Sequence, residues 1–323
     1  MSGFVSLPDT FAECRDVAGH GARPIRLYRW RSSGGASRPA LLWGHANGFA
    51  AGSYRTLFAA LSPDLDIYAF DAAGQGGSAQ PAPGEDLEAF CDPDALAADV
   101  EAVAREAAAW AGRPLVYAAH SMCGAAMLRL ALFHPARFAS LGLKGMMLFE
   151  PPFFPPPGHP LHDAGLARHK KRVTRASARR DEFPGGPDEL AAYITGREIF
   201  ARFRPDQIAA HAAATLRADA GTWRLACPPA VETAVFRALG GRPVNFPALD
   251  RFPASIPLHF VAGDIAAGLA QGVTVTAMMP DAAAKVPHAK LTELAGASHM
   301  MVFEEEGACA GLLKSFAAAC ESR

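Results

Sequence analysis

The chain has 323 residues and a formal net charge of −1, and half of its residues are hydrophobic. A charge this close to zero argues against a nucleic-acid partner or an anionic membrane partner, because both attract an excess of Lys and Arg. No apolar run approaches the roughly 20 residues that span a bilayer, and residues 1–9 lack the basic and apolar regions of a signal peptide.

The first 150 residues alternate between strand and helix patterns. Strands are predicted at residues 11–17, 25–30, 41–43, 67–70, 115–119 and 144–149. A helix is predicted over 94–111, where apolar residues recur at helical spacing. Strands that alternate with helices are typical of a parallel α/β sheet whose strands are buried on both faces.

The alternation stops at residue 151. The proline-rich segment 151–158 can be neither a helix nor a central strand. From there to about residue 250 the pattern is mainly helical, and strands return at 258–262 and 290–294. The sequence therefore predicts an α/β core of residues 1–150 and 251–323, interrupted by a helical insertion over 151–250.

Ser121 lies where the strand-like run 115–119 meets a helix-like run that begins at Met122. Small residues flank it at Ala119 and Gly124, as expected of a strand-to-helix corner that exposes a nucleophile. A serine that only caps the helix is the alternative. Cys123 stands where the pattern usually has glycine, and a cysteine nucleophile there is less favoured because it would lie inside the helix.

A serine nucleophile needs a base, and His299, in the loop after the last predicted strand, is the candidate. A structural or solvated histidine is the alternative. Two carboxylates compete to orient the histidine. Glu150 directly follows the strand 144–149, and Asp264 follows the strand 258–262.

Two loops follow other strands. The segment Gly-His-Ala-Asn-Gly-Phe over 44–49 is expected to help form an oxyanion site, with the backbone N–H groups of Asn47 and Met122 as donors. An ordinary glycine-containing turn is the alternative. The Gly-rich loop 71–78 is interpreted as a structural turn near the site rather than a phosphate cradle, since it lacks the GxGxxG spacing.

Together these segments resemble those of the α/β-hydrolase-fold serine hydrolases. Segment 44–49 resembles the family's His-Gly oxyanion segment, and 71–78 its Asp-x-x-Gly-x-Gly-x-Ser loop. Segment 119–124 resembles its Gly-His-Ser-Met-Gly-Gly elbow, and Ser298-His299 its final Gly-His. The resemblance implies a mostly parallel central sheet flanked by helices, with residues 151–250 as a helical cap (lid) over the active site.

The chain departs from the family at the triad acid. Members usually carry it after the seventh strand in Gly-x-x-Asp, and here Gly263-Asp264-Ile265-Ala266 has alanine in that place. Some members, including many haloalkane dehalogenases, place a glutamate after the sixth strand, which is the position of Glu150. Their nucleophile is aspartate, so their halide chemistry does not extend to this chain. The expected triad is Ser121, His299 and Glu150, with Asp264 as the alternative acid.

The resemblance implies hydrolysis of a carboxylic ester or thioester through an acyl-enzyme intermediate, with a small-molecule substrate and neither cofactor nor metal. Carbon–carbon hydrolysis of ring-cleavage diketones and a non-catalytic ligand-binding role are the alternatives. His45, Phe49, Phe153 and Phe154 are expected to bind substrate.

The segment 166–180 carries seven basic residues, which favours a solvated helix face over a site for a substrate carboxylate or a carrier phosphate. The six cysteines are scattered without a CxxC pair, which favours reduced thiols in a cytoplasm and no zinc site. The abundance of Ala, Arg, Gly and Pro is typical of a GC-rich bacterial genome. A monomer or a homodimer is expected.

Overall fold

The computed structural model of the protein describes residues 11–30, 38–243 and 246–322. The signal-peptide prediction for residues 1–9 lies outside the described residues. The strands within these ranges are β1 (Phe11–Ala18), β2 (Pro24–Trp30), β3 (Ala40–Gly44), β4 (Asp66–Phe70), β5 (Leu115–His120), β6 (Gly145–Phe149), β7 (Leu216–Asp219), β8 (Thr222–Leu225), β9 (Leu258–Ala262) and β10 (Lys290–Glu293).

Eight of the strands form one sheet in the order β1-β2-β4-β3-β5-β6-β9-β10. The β1–β2 and β2–β4 pairs are antiparallel, and the other neighbours are parallel. Every residue of β3, β5, β6 and β9 is buried, because helices cover a parallel sheet on both faces. The predicted α/β fold with a mostly parallel central sheet is therefore confirmed.

The helices cover both faces of this sheet and fill the insertion. They are α1 (Arg55–Leu61), α2 (Leu87–Phe90), α3 (Pro93–Ala111), α4 (Met122–Phe133), α5 (Pro135–Ala139), α6 (His162–Ser177), α7 (Gly186–Ile194), α8 (Pro205–Ala214), α9 (Pro229–Gly241), α10 (Ile265–Ala270), α11 (Thr274–Ala277), α12 (Met279–Lys285), α13 (Met301–Glu304) and α14 (Glu306–Glu321). In the described part of the chain, no helix combines the length and apolarity that a membrane crossing requires.

The buried apolar residues form two clusters, one on each face of the sheet. Leu41 and Trp43 of β3 belong to the cluster that includes residues of α1 and α14, whereas Leu42 belongs to the cluster with α3, α4 and α12. Successive side chains of a strand point to opposite faces, so each strand supplies both clusters. The sheet is thereby held rigidly between two helical layers.

The segment between β6 and β9 contains helices α6 to α9, and also an antiparallel hairpin that the sequence did not predict. Strands β7 and β8 of this hairpin have four residues each and pair through a two-residue turn at Ala220 and Gly221. Both turn residues have positive φ, 46° and 87°, as the tight turn of a hairpin requires. The strands are too short and too polar to give a clear alternating pattern.

Strand β5 lies between β3 and β6 at the centre of the sheet. The chain leaves β3 toward β4 on one side and later returns to β5 on the other side. The order of strands thus reverses between β3 and β5, and open α/β sheets bind ligands at the carboxyl ends of strands beside such a reversal.

Candidate active site

Ser121 forms the corner between β5 and α4. Its backbone angles are φ 59° and ψ −114°, a strained conformation for a residue with a side chain, at a cost of roughly 1–3 kcal/mol. Its N–H donates to the carbonyl of Phe149 in β6 (2.9 Å), and its own carbonyl accepts from Gly124 N–H (3.0 Å). These bonds hold the strained corner, and the serine side chain stays partly exposed.

Ser121, His299 and Glu150 are brought together in one hydrogen-bonded chain. Ser121 Oγ lies 3.2 Å from His299 Nε2, and His299 Nδ1 lies 2.6 Å from Glu150 Oε2. A proton on Nδ1 donates to the carboxylate and leaves Nε2 to accept from the serine hydroxyl. Glu150 is fully buried, and its other oxygen accepts from the N–H of Gly263 at 2.8 Å.

Asp264 lies one strand farther on and has a different contact set. Its Oδ1 accepts from the N–H of Ala267 at the start of α10 (2.8 Å), and its Oδ2 accepts from the N–H of Gly296 (2.9 Å). These two backbone donors lower the pKa of the carboxyl. Asp264 is therefore the N-cap of α10, and the structure places Glu150 rather than Asp264 at the histidine.

The segment 45–50 and the start of α4 meet at the serine. The N–H of Met122 opens α4, and the first amides of a helix have no acceptor within it. Asn47 Nδ2 donates to the carbonyl of Glu232 in the insertion (3.1 Å), and the N–H of Gly48 donates to Gln75 Oε1 (2.7 Å). Asn47 and Met122 both line the pocket into which the serine opens.

The loop 71–78 forms hydrogen bonds with the segment 45–50 and with Ala51, which follows it. The carboxylate of Asp71 accepts from Tyr28 Oη (2.8 Å), from Ala51 N–H (2.7 Å) and from Gly77 N–H (2.7 Å). A Cβ atom at Gly76 would lie 2.1 Å from the same carboxylate, so this position has no room for a side chain. The polar groups of the loop are thus directed into the protein.

Cys123 is the second residue of α4 and is fully buried. Its side chain faces Gly44, where an added Cβ would lie 2.4 Å from the Cys123 Cβ. Burial raises the pKa of the thiol above its ordinary value, which disfavours the reactive thiolate. The turn has cysteine instead of glycine at 123, and the facing residue of β3, Gly44, is the one that lacks a side chain.

His120, for which the sequence predicts no role, links the segment 45–50 to the candidate base. The hydroxyl of Tyr54 accepts from Ala46 N–H (3.1 Å) and lies 3.0 Å from His120 Nδ1. His120 Nε2 in turn lies 2.9 Å from the carbonyl oxygen of His299. Burial, and then the neighbouring His299, lower the pKa of His120 well below its ordinary value, so its ring is neutral.

The pocket beside Ser121 contains about 600 Å³ of space free of atoms, part of it open to solvent. Of the residues expected to bind substrate, Phe153 and Phe154 line it. Phe236, Leu239 and Val275 add further apolar surface.

His45 and Phe49, by contrast, do not line this pocket, and their expected role in substrate binding is corrected. His45 is fully buried, with Nδ1 2.8 Å from its neighbour's carbonyl and Nε2 accepting from Ala72 N–H at 2.8 Å. Phe49 is buried against His211 and Phe303, at ring distances of 4.5 and 5.6 Å. Both residues fix the backbone around Asn47 instead.

The basic segment 166–180 was expected to form a solvated helix face, and three of its arginines depart from that prediction. Arg168 and Arg172 of α6 line the pocket. Arg179 forms an ion pair with Glu232, whose own side chain is nearly buried. Lys170 and Lys171 are exposed, as predicted.

Within the residues described, no group of three or more His, Cys, Asp or Glu side chains is arranged to hold a metal ion. All six cysteines are free, and Cys14 alone among them is exposed.

A mostly parallel sheet with a serine corner, a histidine loop and a buried carboxylate at its strand ends is the architecture of an α/β hydrolase. Residues 16–312 match the model of the Alpha/beta hydrolase family, and the chain belongs to that family. The match spans the core strands and the insertion alike. A comparison with curated protein sequences found no match.

Solved structures share the fold over nearly the whole chain. An E-2-(acetamidomethylene)succinate hydrolase is 18% identical, with a TM-score of 0.70 over 94% of this chain and 98% of that one. An esterase from Exiguobacterium antarcticum is 15% identical, with a TM-score of 0.67 over 95% and 100%. A thioesterase domain from the curacin biosynthetic pathway is 17% identical, with a TM-score of 0.62 over 93% and 98%.

Proposed function

We propose that the protein is a serine hydrolase that cleaves a carboxylic ester or thioester of a small molecule through an acyl-enzyme intermediate. The proposal rests on the hydrogen-bonded chain from Ser121 through His299 to Glu150, with distances of 3.2 and 2.6 Å. A nucleophile, a base and an orienting carboxylate in this geometry form the constellation of serine hydrolases on several unrelated folds. The esterase and the thioesterase among the similar structures are in keeping with this class of reaction.

In the proposed reaction, Ser121 Oγ attacks the carbonyl carbon while His299 Nε2 takes the hydroxyl proton. Glu150 stabilises the imidazolium that forms. The backbone N–H groups of Asn47 and Met122 hold the developing oxyanion. His299 then returns the proton to the leaving alcohol or thiol, and a water molecule activated by the same nitrogen releases the acid and restores the serine.

We assign residues 1–150 and 251–323 to the catalytic core and residues 151–250 to a cap over it. The assignment is supported by the pocket itself, because Phe154, Arg172 and Phe236 from the insertion line it together with Ser121 from the core. Such a cap restricts the entry of water and selects the substrate.

The proposal is tested with Ser121→Ala, assayed on p-nitrophenyl butyrate and with a fluorophosphonate probe. We expect turnover to fall by at least about 10³-fold and labelling to disappear, while circular dichroism stays unchanged. Ser140→Ala, which removes an exposed serine at the end of α5, is the control that keeps both. Undiminished turnover in Ser121→Ala would contradict the proposal.

Two results would favour the alternatives instead. Folded wild-type protein that the probe does not label would point to a non-catalytic ligand-binding role. Turnover of dienoate diketones without turnover of esters would point to carbon–carbon hydrolysis.

A further inference from the structure

Two arginines of the insertion lie in the same pocket as the candidate nucleophile. Arg168 and Arg172 are four residues apart on α6, which places both on one face of that helix. Both line the pocket that Ser121 and Met122 also line.

The packing of α6 fixes this face toward the pocket. The ring of His169 packs edge-on against Phe154 at 5.5 Å. On its other side it fits against Gly240 of α9, where an added Cβ would lie 2.2 Å from the ring. These two contacts of His169 fix the orientation in which α6 presents the neighbouring Arg168 to the pocket.

The two guanidinium groups carry charge that the pocket does not neutralise. Neither Arg168 nor Arg172 forms an ion pair with a carboxylate of the described residues, although other basic residues of the insertion do, such as Arg179 with Glu232. Buried Arg168 Nε has no hydrogen-bond partner in the described part of the chain. Among the described residues that line the pocket, none is acidic.

Two carboxylates act electrostatically on the pair, and both have other partners. Glu198, which acts on Arg168, is an exposed side chain that pairs with Arg175. Glu150 attracts Arg172 electrostatically, but its two oxygens accept from His299 and Gly263. Burial, and then the neighbouring Arg168, lower the pKa of Arg172 to about 10. An anion placed between the two guanidinium groups would relieve this repulsion, and a carboxylate matches their planar donors.

We propose that Arg168 and Arg172 bind a carboxylate of the substrate itself, so that the substrate is an anionic ester or thioester. A phosphate of an acyl carrier would fit the same donors, but such a phosphate lies many bonds from its thioester. Arg168 and Arg172 line the same pocket as Ser121, so a carboxylate bound there is expected to belong to the same small molecule as the carbonyl that is attacked. The apolar surface of Phe153, Phe154 and Leu239 then covers the short chain between them.

This inference takes the position of the reacting carbonyl from the proposed function, and a binding experiment separates the two. In Ser121→Ala protein, which cannot turn over, calorimetry measures binding of glutarate, a small dicarboxylate. We expect Arg172→Met and Arg168→Met, each added to Ser121→Ala, to weaken binding about 10- to 100-fold. Lys171→Met, which removes an exposed charge from the same helix, is the matched control that leaves binding unchanged.

A kinetic experiment compares monomethyl glutarate, which keeps one carboxylate, with neutral dimethyl glutarate. We expect the ratio of kcat/KM for the monoester to that for the diester to fall at least about 10-fold in Arg172→Met, mainly through KM. Butyryl-coenzyme A against butyryl-pantetheine is the second arm, because only the former carries carrier phosphates. Labelling of Ser121 by a fluorophosphonate at the wild-type rate shows that each variant retains its site.

The outcomes distinguish the two hypotheses. Arginine-dependent glutarate binding without any ester turnover would support the carboxylate site while removing the proposed function. Ester turnover with equal losses on monoester and diester, or no glutarate binding, would overturn the carboxylate site. A loss confined to butyryl-coenzyme A would overturn it in favour of a carrier phosphate.

Discussion

Gly44 at the end of β3 and Cys123 in the first turn of α4 occupy opposite sides of one narrow gap. A Cβ atom on Gly44 would lie 2.4 Å from the Cys123 Cβ and 2.8 Å from Tyr117 Oη. One of the two facing residues must therefore lack a side chain. In this chain the strand provides the space and the helix fills it, which lets the elbow keep its sharp turn with a cysteine at 123.

Gly44→Ala is expected to lower the free energy of unfolding by roughly 1–3 kcal/mol, the usual cost of overpacking a buried site. Adding Cys123→Gly restores part of the loss but not all of it, because Tyr117 remains in contact. Urea denaturation of the three proteins measures both effects. Gly311→Ala is the control, since that helical glycine of α14 has no neighbouring atom within 4 Å and the change stabilises by roughly 0.5–1 kcal/mol. Equal changes of unfolding free energy in Gly44→Ala and Gly311→Ala would contradict the close contact between positions 44 and 123.

Glu150→Gln tests which carboxylate serves the histidine. The amide keeps the shape of the side chain but removes the charge that stabilises the imidazolium, so kcat is expected to fall about 10³- to 10⁴-fold. Asp264→Asn, in contrast, keeps kcat within a few-fold, because Asp264 caps α10 and asparagine is a good N-cap. Both are read from hydrolysis of the same p-nitrophenyl ester. A larger loss of kcat in Asp264→Asn than in Glu150→Gln would show that Asp264, and not Glu150, is the acid of the triad.

His211 is expected to make the protein acid-sensitive. Burial, and then Arg179, lower its pKa from 6.5 to about 3, so the folded state keeps the ring neutral where the unfolded chain binds a proton. The free energy of unfolding is therefore unaffected by this group above pH 6.5. It falls by about 1.4 kcal/mol per pH unit as the pH drops from 6.5 toward 3.

Urea denaturation of His211→Asn between pH 4 and pH 8 measures this slope. The variant is less stable at neutral pH, because the ring packs on Phe49 at 4.5 Å, but its slope is expected to be smaller by about one proton. Ser53→Ala removes the contact of 3.2 Å to His211 Nδ1, together with the hydrogen bond that Ser53 Oγ accepts from Ala50 N–H at 3.3 Å, and keeps the slope because the His211 ring remains. An unchanged slope in His211→Asn would show that another group is responsible.

Tyr54→Phe is expected to cost about 1–3 kcal/mol of unfolding free energy although it leaves no large cavity. The Tyr54 hydroxyl joins the N–H of Ala46 to His120 Nδ1, and its loss leaves both groups buried without that partner. Because Ala46 precedes Asn47, the segment that we propose to hold the oxyanion is expected to loosen, and kcat is expected to fall as well. Thermal unfolding and ester kinetics measure the two effects, and a variant that matches wild type in both would contradict the network.

Strands of the core were predictable because buried parallel strands are continuous apolar runs. The predicted runs 115–119 and 144–149 match β5 and β6 to within one residue at each end. The β7–β8 hairpin was not predictable in this way. Its strands carry Arg217, Asp219 and Arg224 and are too short to show an alternating pattern of apolar and polar residues. Its turn at Ala220 and Gly221 was the available signal.

Within the site, chain position was predictable and side-chain direction was not. Glu150 and Asp264 follow neighbouring strands β6 and β9, so the pattern alone left both as candidates for the histidine. Hydrogen bonds to the backbone distinguish the two carboxylates, because the N–H groups of Ala267 and Gly296 donate to Asp264 and hold it away from the histidine. Similarly, α6 carries five Arg and Lys residues, and its packing against α9, which the sequence pattern does not show, determines which of them face the pocket.

The proposed cap, residues 151–250, begins directly after Glu150 and ends before β9. All three members of the proposed triad are therefore encoded outside it, whereas the proposed carboxylate-binding pair is encoded within it. The residues proposed to break the bond and the residues proposed to select the substrate thus lie in separate parts of the sequence. A recombined gene that exchanges residues 151–250 would inherit a new preference for substrate while its bond-breaking groups stay in place.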